Sequence, residues 1–205
     1  FLPEQQGDDP GVNLRLGFTV SYWVRPDEVG DTMFALGRKH NNNQRFTFGI
    51  NTNKAIYVGV GGQRIRTTWV NMGATTNSNL SHLFKTDNSL KTGNWINFVI
   101  TYANRTEEEK DAGDNAELNI YMNGELIKTN NTNWSQGGGN TAGLMLGARN
   151  LAGGTRNEPS TPGTYNNGWS CGLDEVAIYD TGKGTSFAQE VYNGKTNYDH
   201  TGASN

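Results

Sequence analysis

A chain of 205 residues has the length of one large β domain. Its 27 glycines, 18% charged residues and 34% hydrophobic residues describe a turn-rich β protein rather than a helical or disordered one. A formal net charge of −3 excludes the basic face that nucleic-acid binding demands, and no run of about 18 apolar residues offers a membrane-spanning helix, so neither nucleic acid nor membrane insertion is expected.

The predicted strands follow one another at short spacing. Residues 18–24 alternate Phe18, Val20, Tyr22 and Val24 against Thr19, Ser21 and Trp23, a period of two. Pro26 then removes a ladder donor and is expected to stop pairing. Residues 31–39 read as the next strand; 45–51 and 54–61 form a hairpin across Thr52-Asn53, and 64–70 is a weaker strand. Residues 94–102 carry Ile96, Phe98, Ile100 and Tyr102 on one face, and the spacing puts Trp23 and Trp95 within core strands. Residues 117–123 and 125–129 flank Asn123-Gly124, the strongest short hairpin signal because both residues tolerate positive φ. Residues 143–149 and 170–180 complete about ten strands. One helix is predicted near the end, with Ser186 and Gln189 as a capping box, Phe187 and Val191 on one face and Gly194 as its stop. Three long segments, roughly 71–93, 103–116 and 150–168, read as loops rich in Asn, Gly, Ser and Thr.

Cys171 is the one cysteine, so no internal disulfide forms, and it reads as a small core hydrophobe. With three histidines (His40, His82, His200) a zinc site of Cys/His type lacks ligands. The chain begins with Phe1 and no signal peptide is visible, so the expectation is a processed start or a segment of something longer. Sequons occur at Asn79, Asn104, Asn130 and Asn133, as the abundance of Asn and Thr makes unsurprising.

Five stretches, taken in order, resemble the laminin-G-like, concanavalin A-like lectin-glucanase superfamily, of the kind found in bacterial and phage surface proteins. They are Phe18–Pro26 as an opening strand, Leu90–Tyr102 around Trp95, the Leu118–Glu125 hairpin with its Tyr121-Met122-Asn123-Gly124, Leu144–Gly147, and the closing Gly172-Leu173-Asp174-Glu175-Val176. The tail Val191–Gly194 is also similar, and the resemblance covers about residues 12–198. One departure is Ile96-Asn97 after Trp95, where many relatives carry His. The resemblance implies an all-β fold: a single domain over 1–205, an antiparallel β-sandwich (a concanavalin A-like jelly roll) with one short C-terminal helix and loops clustered at the rims.

The resemblance also raises glycoside hydrolysis, which needs two carboxylates on one face. Asp174 and Glu175 are adjacent and should point to opposite faces; Glu107-Glu108-Glu109 reads as a solvated loop. No G-x-S-x-G elbow occurs, and Gly59-Val60-Gly61-Gly62 ends a strand with no helix to hold a phosphate. No enzymatic activity is expected. Relatives of this type often bind calcium at a rim. Asp174, placed by alternation with Val176 and Ile178 on the core face, is the position for Ca²⁺, or else it accepts loop N–H groups and pins the sheet end. Asp27 and Asp31 are weaker positions of the same kind.

Trp134, Tyr165 and Trp169 lie in predicted loops beside asparagines. A ring supplies an apolar face and the amides read hydroxyls, so these are the candidate ligand contacts; capping of the core or a protein interface is the other reading. The functional expectation is a structural or attachment module, extracellular or on a virion surface, touching other protein subunits of a surface assembly. The alternative is a lectin-like carbohydrate-binding module, with Ca²⁺ dependence left open.

Overall fold

The computed structural model describes residues 16–27, 33–39, 45–50, 56–61, 63–67, 78–86, 90–132, 145–147, 149–150, 165–166 and 170–196. In chain order its strands are β1 (Phe18–Pro26), β2 (Met33–Lys39), β3 (Arg45–Ile50), β4 (Ile56–Gly61), β5 (Gln63–Thr67), β6 (Ile96–Tyr102), β7 (Ala116–Met122), β8 (Glu125–Thr132), β9 (Met145–Leu146), β10 (Arg149–Asn150), β11 (Tyr165–Asn166) and β12 (Cys171–Tyr179). A five-stranded sheet has the order β12-β1-β6-β7-β8, antiparallel throughout. A seven-stranded sheet runs β11-β10-β2-β3-β4-β5, with β9 also on β2. Its pairs are antiparallel except β10 beside β2.

The two sheets meet through their alternate residues. Phe18, Val20, Tyr22 and Val24 of β1, with Ile96, Phe98, Ile100 and Tyr102 of β6, form one core with Phe48, Ile56, Val58 and Val60 of the second sheet. Phe18 stands edge-on to Phe48 with ring centroids 6.5 Å apart and stacks on Tyr102 at 5.6 Å. Burial raises the Tyr22 phenol far above its ordinary value, so Tyr22 is a neutral core side chain.

Three differences from the sequence reading have physical causes. Within 71–93, a 3-10 helix at Ser78–Leu83 and the short bridge Phe84–Leu90 bury Leu80, Leu83, Phe84 and Leu90 in the core. Leu80, Leu83 and Phe84 stand at i, i+3 and i+4, a helical spacing over too short a run for the sequence reading to have picked out. Within 103–116, α1 (Glu107–Ala112) forms on its caps and a Glu107–Lys110 ion pair. Thr106 accepts from the Glu109 N–H, the Glu109 carboxylate accepts from the Thr106 N–H at 2.8 Å, and Gly113 closes the helix in the left-handed region. The helix buries no residue, so hydrophobic patterning could not show it. Lastly, α2 (Thr185–Thr196) starts before Ser186 and continues through Gly194. Packing sets these limits: Ala188 is buried against Val99 and Tyr121, and the Tyr121 hydroxyl meets Thr185 Oγ1 at 3.2 Å. Lys183 Nζ lies 5.0 Å from the rings of both Tyr179 and Phe187 at the start of α2.

Pro26 is the last residue of β1 yet still stands opposite Cys171, and its carbonyl accepts from Gly93 N–H at 2.8 Å. Cys171 is half-buried against the core. Desolvation, then the negative charge of Asp27, push its thiol up to about 11 from 9.0.

The β7–β8 turn is tied to β6. Asn123 (φ 49) and Gly124 (φ 77) take the left-handed conformations of such a turn. Asn123 Oδ1 accepts from Asn97 N–H, Asn123 N–H donates to the Asn97 carbonyl, both at 2.9 Å, and Asn97 Nδ2 donates to the Tyr22 carbonyl at 3.3 Å.

Replacing Asn123 by alanine removes a buried hydrogen bond and strains the turn, each costing about 1–2 kcal/mol. Asn123→Ala is expected to lose about 2–3 kcal/mol in urea unfolding, whereas Asn123→Gly loses only the hydrogen-bond share. The native Cys171 thiol should react with a disulfide reagent at pH 7.5 at least tenfold more slowly than in the urea-unfolded chain. Above about pH 9.0 the unfolded thiol releases its proton while the folded one keeps it to about 11. Stability should therefore fall across that window, and Cys171→Ala should abolish this contribution.

Candidate binding surface

The outer face of the five-stranded sheet is divided. Over one part lies α2, with Ala188 buried on Val99 and Tyr121, and Phe187 and Val191 packed beside them. Tyr192 stacks on Trp23, ring centroids 6.0 Å apart. Trp23 is thus buried, as the sequence implied, but on the outer face under the helix rather than in the core between the sheets. The other part lies where β1 ends and β6 and β12 begin, and it carries Arg25, Trp95, Asp27, Ser170, Gly172 and Asp174.

Strand parity places them there. With Val20, Tyr22 and Val24 turned to the core, Trp23 and Arg25 face outward. Arg25 pairs with Gly172, and Trp23 pairs with Asp174 on one side and Asn97 on the other. Trp95 precedes β6 rather than lying within it, and it is half-buried. Its indole reaches across β1 to lie on Gly172: a Cβ there would stand 2.9 Å from Trp95 Cη2, so glycine leaves the space the ring fills. The Arg25 guanidinium carbon lies 5.5 Å from the Trp95 ring centroid, worth about 0.5–1 kcal/mol at an exposed site.

Beside this ring stands an opposite charge. Arg25 Nε is 3.8 Å from Asp27 Oδ1, with side-chain exposures of 36% and 49%. That separation exceeds a hydrogen bond, and a solvent-exposed pair of this kind adds little stability. Ser170 Oγ donates to Asp27 Oδ2 at the long distance of 3.5 Å, and Asp27 N–H donates to the Ser170 carbonyl at 3.0 Å. The backbone is therefore stitched, and the Arg25 and Asp27 side chains stand partly exposed beside the indole.

Asp174 does not share a face with Val176 and Ile178. Ser21 stands opposite Ala177 but Trp23 stands opposite Asp174, so Tyr22 faces two residues, Glu175 and Val176. This β-bulge, with Glu175 at φ 49, shifts the alternation by one. Cys171 and Leu173 pack on the core before it, Val176 and Ile178 after it, and Asp174 is exposed. Asp174 Oδ1 accepts the Glu175 N–H at 2.8 Å and so braces the bulge. Among the described residues no three His, Cys, Asp or Glu side chains gather as a metal site. Calcium takes six to eight oxygens; of these Asp174 would bring one exposed carboxylate, whose Oδ1 already accepts from backbone. Asp31 lies outside the described residues.

Of the sequence-predicted aromatics, Trp134 and Trp169 lie outside the described residues. Tyr165 begins β11, where its backbone pairs with Asn150 at an edge of the seven-stranded sheet. The described chain nearest the two tryptophans is far apart. Thr132 ends the edge strand β8 opposite Ala116, at the Phe18 end of the sheet, whereas Ser170 precedes the other edge strand, β12, at the Pro26 end. Sequence reasoning missed Trp95 with Arg25. The available signal was the outward parity of Arg25 in β1 together with a glycine, Gly172, at the head of the last strand.

Among solved structures, a Bacteroides ovatus protein described as carbohydrate binding superposes with TM-score 0.51 at 15% identity, covering 86% of this chain and 40% of that one. The receptor binding domain of a botulinum neurotoxin C/D mosaic serotype gives 0.50 at 13%, covering 89% and 37%. A mutant Trypanosoma rangeli sialidase displaying trans-sialidase activity gives 0.53 at 13%, covering 89% and 23%. The chain spans less than half the length of each, and at such identity the likeness is one of fold. Curated protein sequences give no match. A laminin-G family model, described as the concanavalin A-like lectin/glucanases superfamily, matches residues 6–183. With the two face-packed sheets and their shared core, that match establishes that the chain belongs to the concanavalin A-like lectin/glucanase superfamily.

Proposed function

We propose that the chain is a non-catalytic attachment module, working at a virion or cell surface through contacts with other protein subunits or with glycans. The observation that carries this reading is the placement of several of its described acids, first among them the adjacent pair Asp174 and Glu175. Asp174 and Glu175 are consecutive on a bulge and both exposed, Asp27 stands beside Arg25, Glu107 pairs with Lys110, and Glu109 caps α1. A retaining glycosidase needs two carboxyl groups about 5–5.5 Å apart across a scissile bond, and acids already committed to a bulge, an ion pair and a helix cap are poor material for it. A second reading, a lectin-like carbohydrate-binding module, is favoured by the Trp95–Arg25–Asp27 arrangement and by the fold shared with the Bacteroides ovatus protein.

Purified chain incubated with cell-surface preparations and on an oligosaccharide array should bind saturably and release no reducing sugar from β-glucan. Sugar release that disappears in Glu175→Gln overturns the non-catalytic reading. A monodisperse monomer that binds neither protein, surface nor glycan overturns attachment.

A further inference from the structure

α2 is joined to the sandwich by a fixed tether and a free pivot. Thr19 Oγ1 donates to the Thr181 carbonyl at 2.8 Å and accepts from Lys183 N–H at 2.9 Å. Gly182 N–H donates to Asn104 Oδ1 at 2.7 Å, and a Cβ on Gly182 would collide with the Tyr102 carbonyl. Residues 181–183 are thus pinned to the body of the fold. Gly184 is not: a Cβ there would meet nothing within 4 Å among the described residues, and its carbonyl takes the Ala188 N–H at a long 3.4 Å. The helix beyond this pivot is lightly held. Thr185, Val191, Tyr192, Asn193 and Gly194 are poor helix formers, and of its described residues Ala188 alone is fully buried. Tyr192 stacks on Trp23, and a Cβ on Gly124 would lie 3.3 Å from Tyr192 Cβ. Between Trp23 and the Asn123–Gly124 turn stands Asn97, fully buried, whose Oδ1 accepts no hydrogen bond among the described residues. An acceptor buried in that state opposes permanent closure.

We propose that Trp23, Val99 and Tyr121 form a helix-accepting strip shared between copies of this chain: α2 swings about Gly184 and docks on the outer face of a second copy, whose α2 docks in return. The inference rests on the protein-subunit reading above and names the partner. α2 leaves from β12, an edge strand, and lies over Trp23 of β1, Val99 of β6 and Tyr121 of β7. Its 12 residues make about 18 Å of helix, roughly the width of four strands. A helix pivoting at the sheet edge reaches as far outward as inward, which brings a copy alongside β12 into range. The bulge discourages strand pairing at that edge, so helices rather than strands make the link. The strip selects a small residue flanked by larger apolar ones, as Ala188 is flanked by Phe187, Val191 and Tyr192. A second copy supplies that pattern by identity. Exchange remakes every contact, so its cost is the entropy of association, and that cost falls when copies are held side by side in an assembly.

Two variants of the full chain separate the helix from its seat. Ala188→Glu spoils α2 and leaves the strip, whereas Val99→Glu spoils the strip and leaves α2. Each alone should sediment as a monomer in analytical ultracentrifugation, and their equimolar mixture should sediment with the mass of a heterodimer. Adding Tyr192→Ala to the Val99→Glu chain removes the stack on Trp23 and should weaken the pair about tenfold. Val99→Asn carries the test if Val99→Glu fails to fold by circular dichroism. A mixture that stays monomeric overturns the exchange; if either variant is still captured by a cell-surface preparation, the attachment reading stands. Dimers formed equally by each variant alone put self-association on another surface and overturn this site. A monomeric mixture that no protein, surface or glycan retains overturns both readings.

Discussion

β1 is hydrogen-bonded along both edges, to β6 and to β12, and closed over on both faces, so that of its nine residues only Arg25 is more than marginally exposed. A strand enclosed in this way cannot slip. A shift of one residue would drive Thr19, Ser21 and Trp23 into the core and lift Phe18, Val20, Tyr22 and Val24 out of it. Its register fixes β6 through Val20–Ile100 and Tyr22–Phe98, and β6 in turn fixes the β7–β8 hairpin through Asn97 and Asn123. The aromatic contacts between the layers, Phe18 on Phe48 and on Tyr102, hang from the same strand.

The outer face inherits its organisation from that register. Because Trp23 must face away from the core, a large ring is left on a sheet surface and has to be covered. α2 covers it with Tyr192, while Ala188 comes close enough to Val99 and Tyr121 to be fully buried. Two residues further along, Arg25 faces the same way beyond the helix, and there Trp95 lies over Gly172 beside a loosely held carboxylate. Helix and open patch are thus consequences of one alternation. The helix buries one part, and on the other Arg25 and Asp27 are partly exposed.

The bulge in β12 shows how one residue redistributes chemistry. Glu175 in the left-handed region lets Tyr22 face two residues, and the inward set changes from Cys171 and Leu173 to Val176 and Ile178. Asp174 is turned out to solvent and spends one oxygen on the Glu175 N–H. β12 is an edge strand of its sheet, and a bulge on an edge also discourages pairing with another chain.

Much of this architecture could be read from the chain as written. Strict alternation in 18–24 and 96–102, and Asn-Gly between two alternating runs, are local signals, so the strands, their inward residues and the hairpin were legible. α1 was legible only through Thr106 and Glu109, since it buries nothing. Leu80, Leu83 and Phe84 keep a helical spacing over a single turn, too short a run to stand out, and with Leu90 they join the core. The candidate site was less accessible still. Arg25, Trp95, Asp27 and Ser170 are far apart in the chain, Asp27 and Ser170 by 143 positions, and no local pattern states that they meet. The orientation of Asp174 was misread because alternation extrapolates blindly through a bulge. What the sequence determined alone was periodicity: which residues form strands and which face of each is apolar. What tertiary structure decided was adjacency, since which strands lie side by side, where a helix covers an outward ring and where a glycine leaves room for an indole depend on contacts between residues distant in the chain.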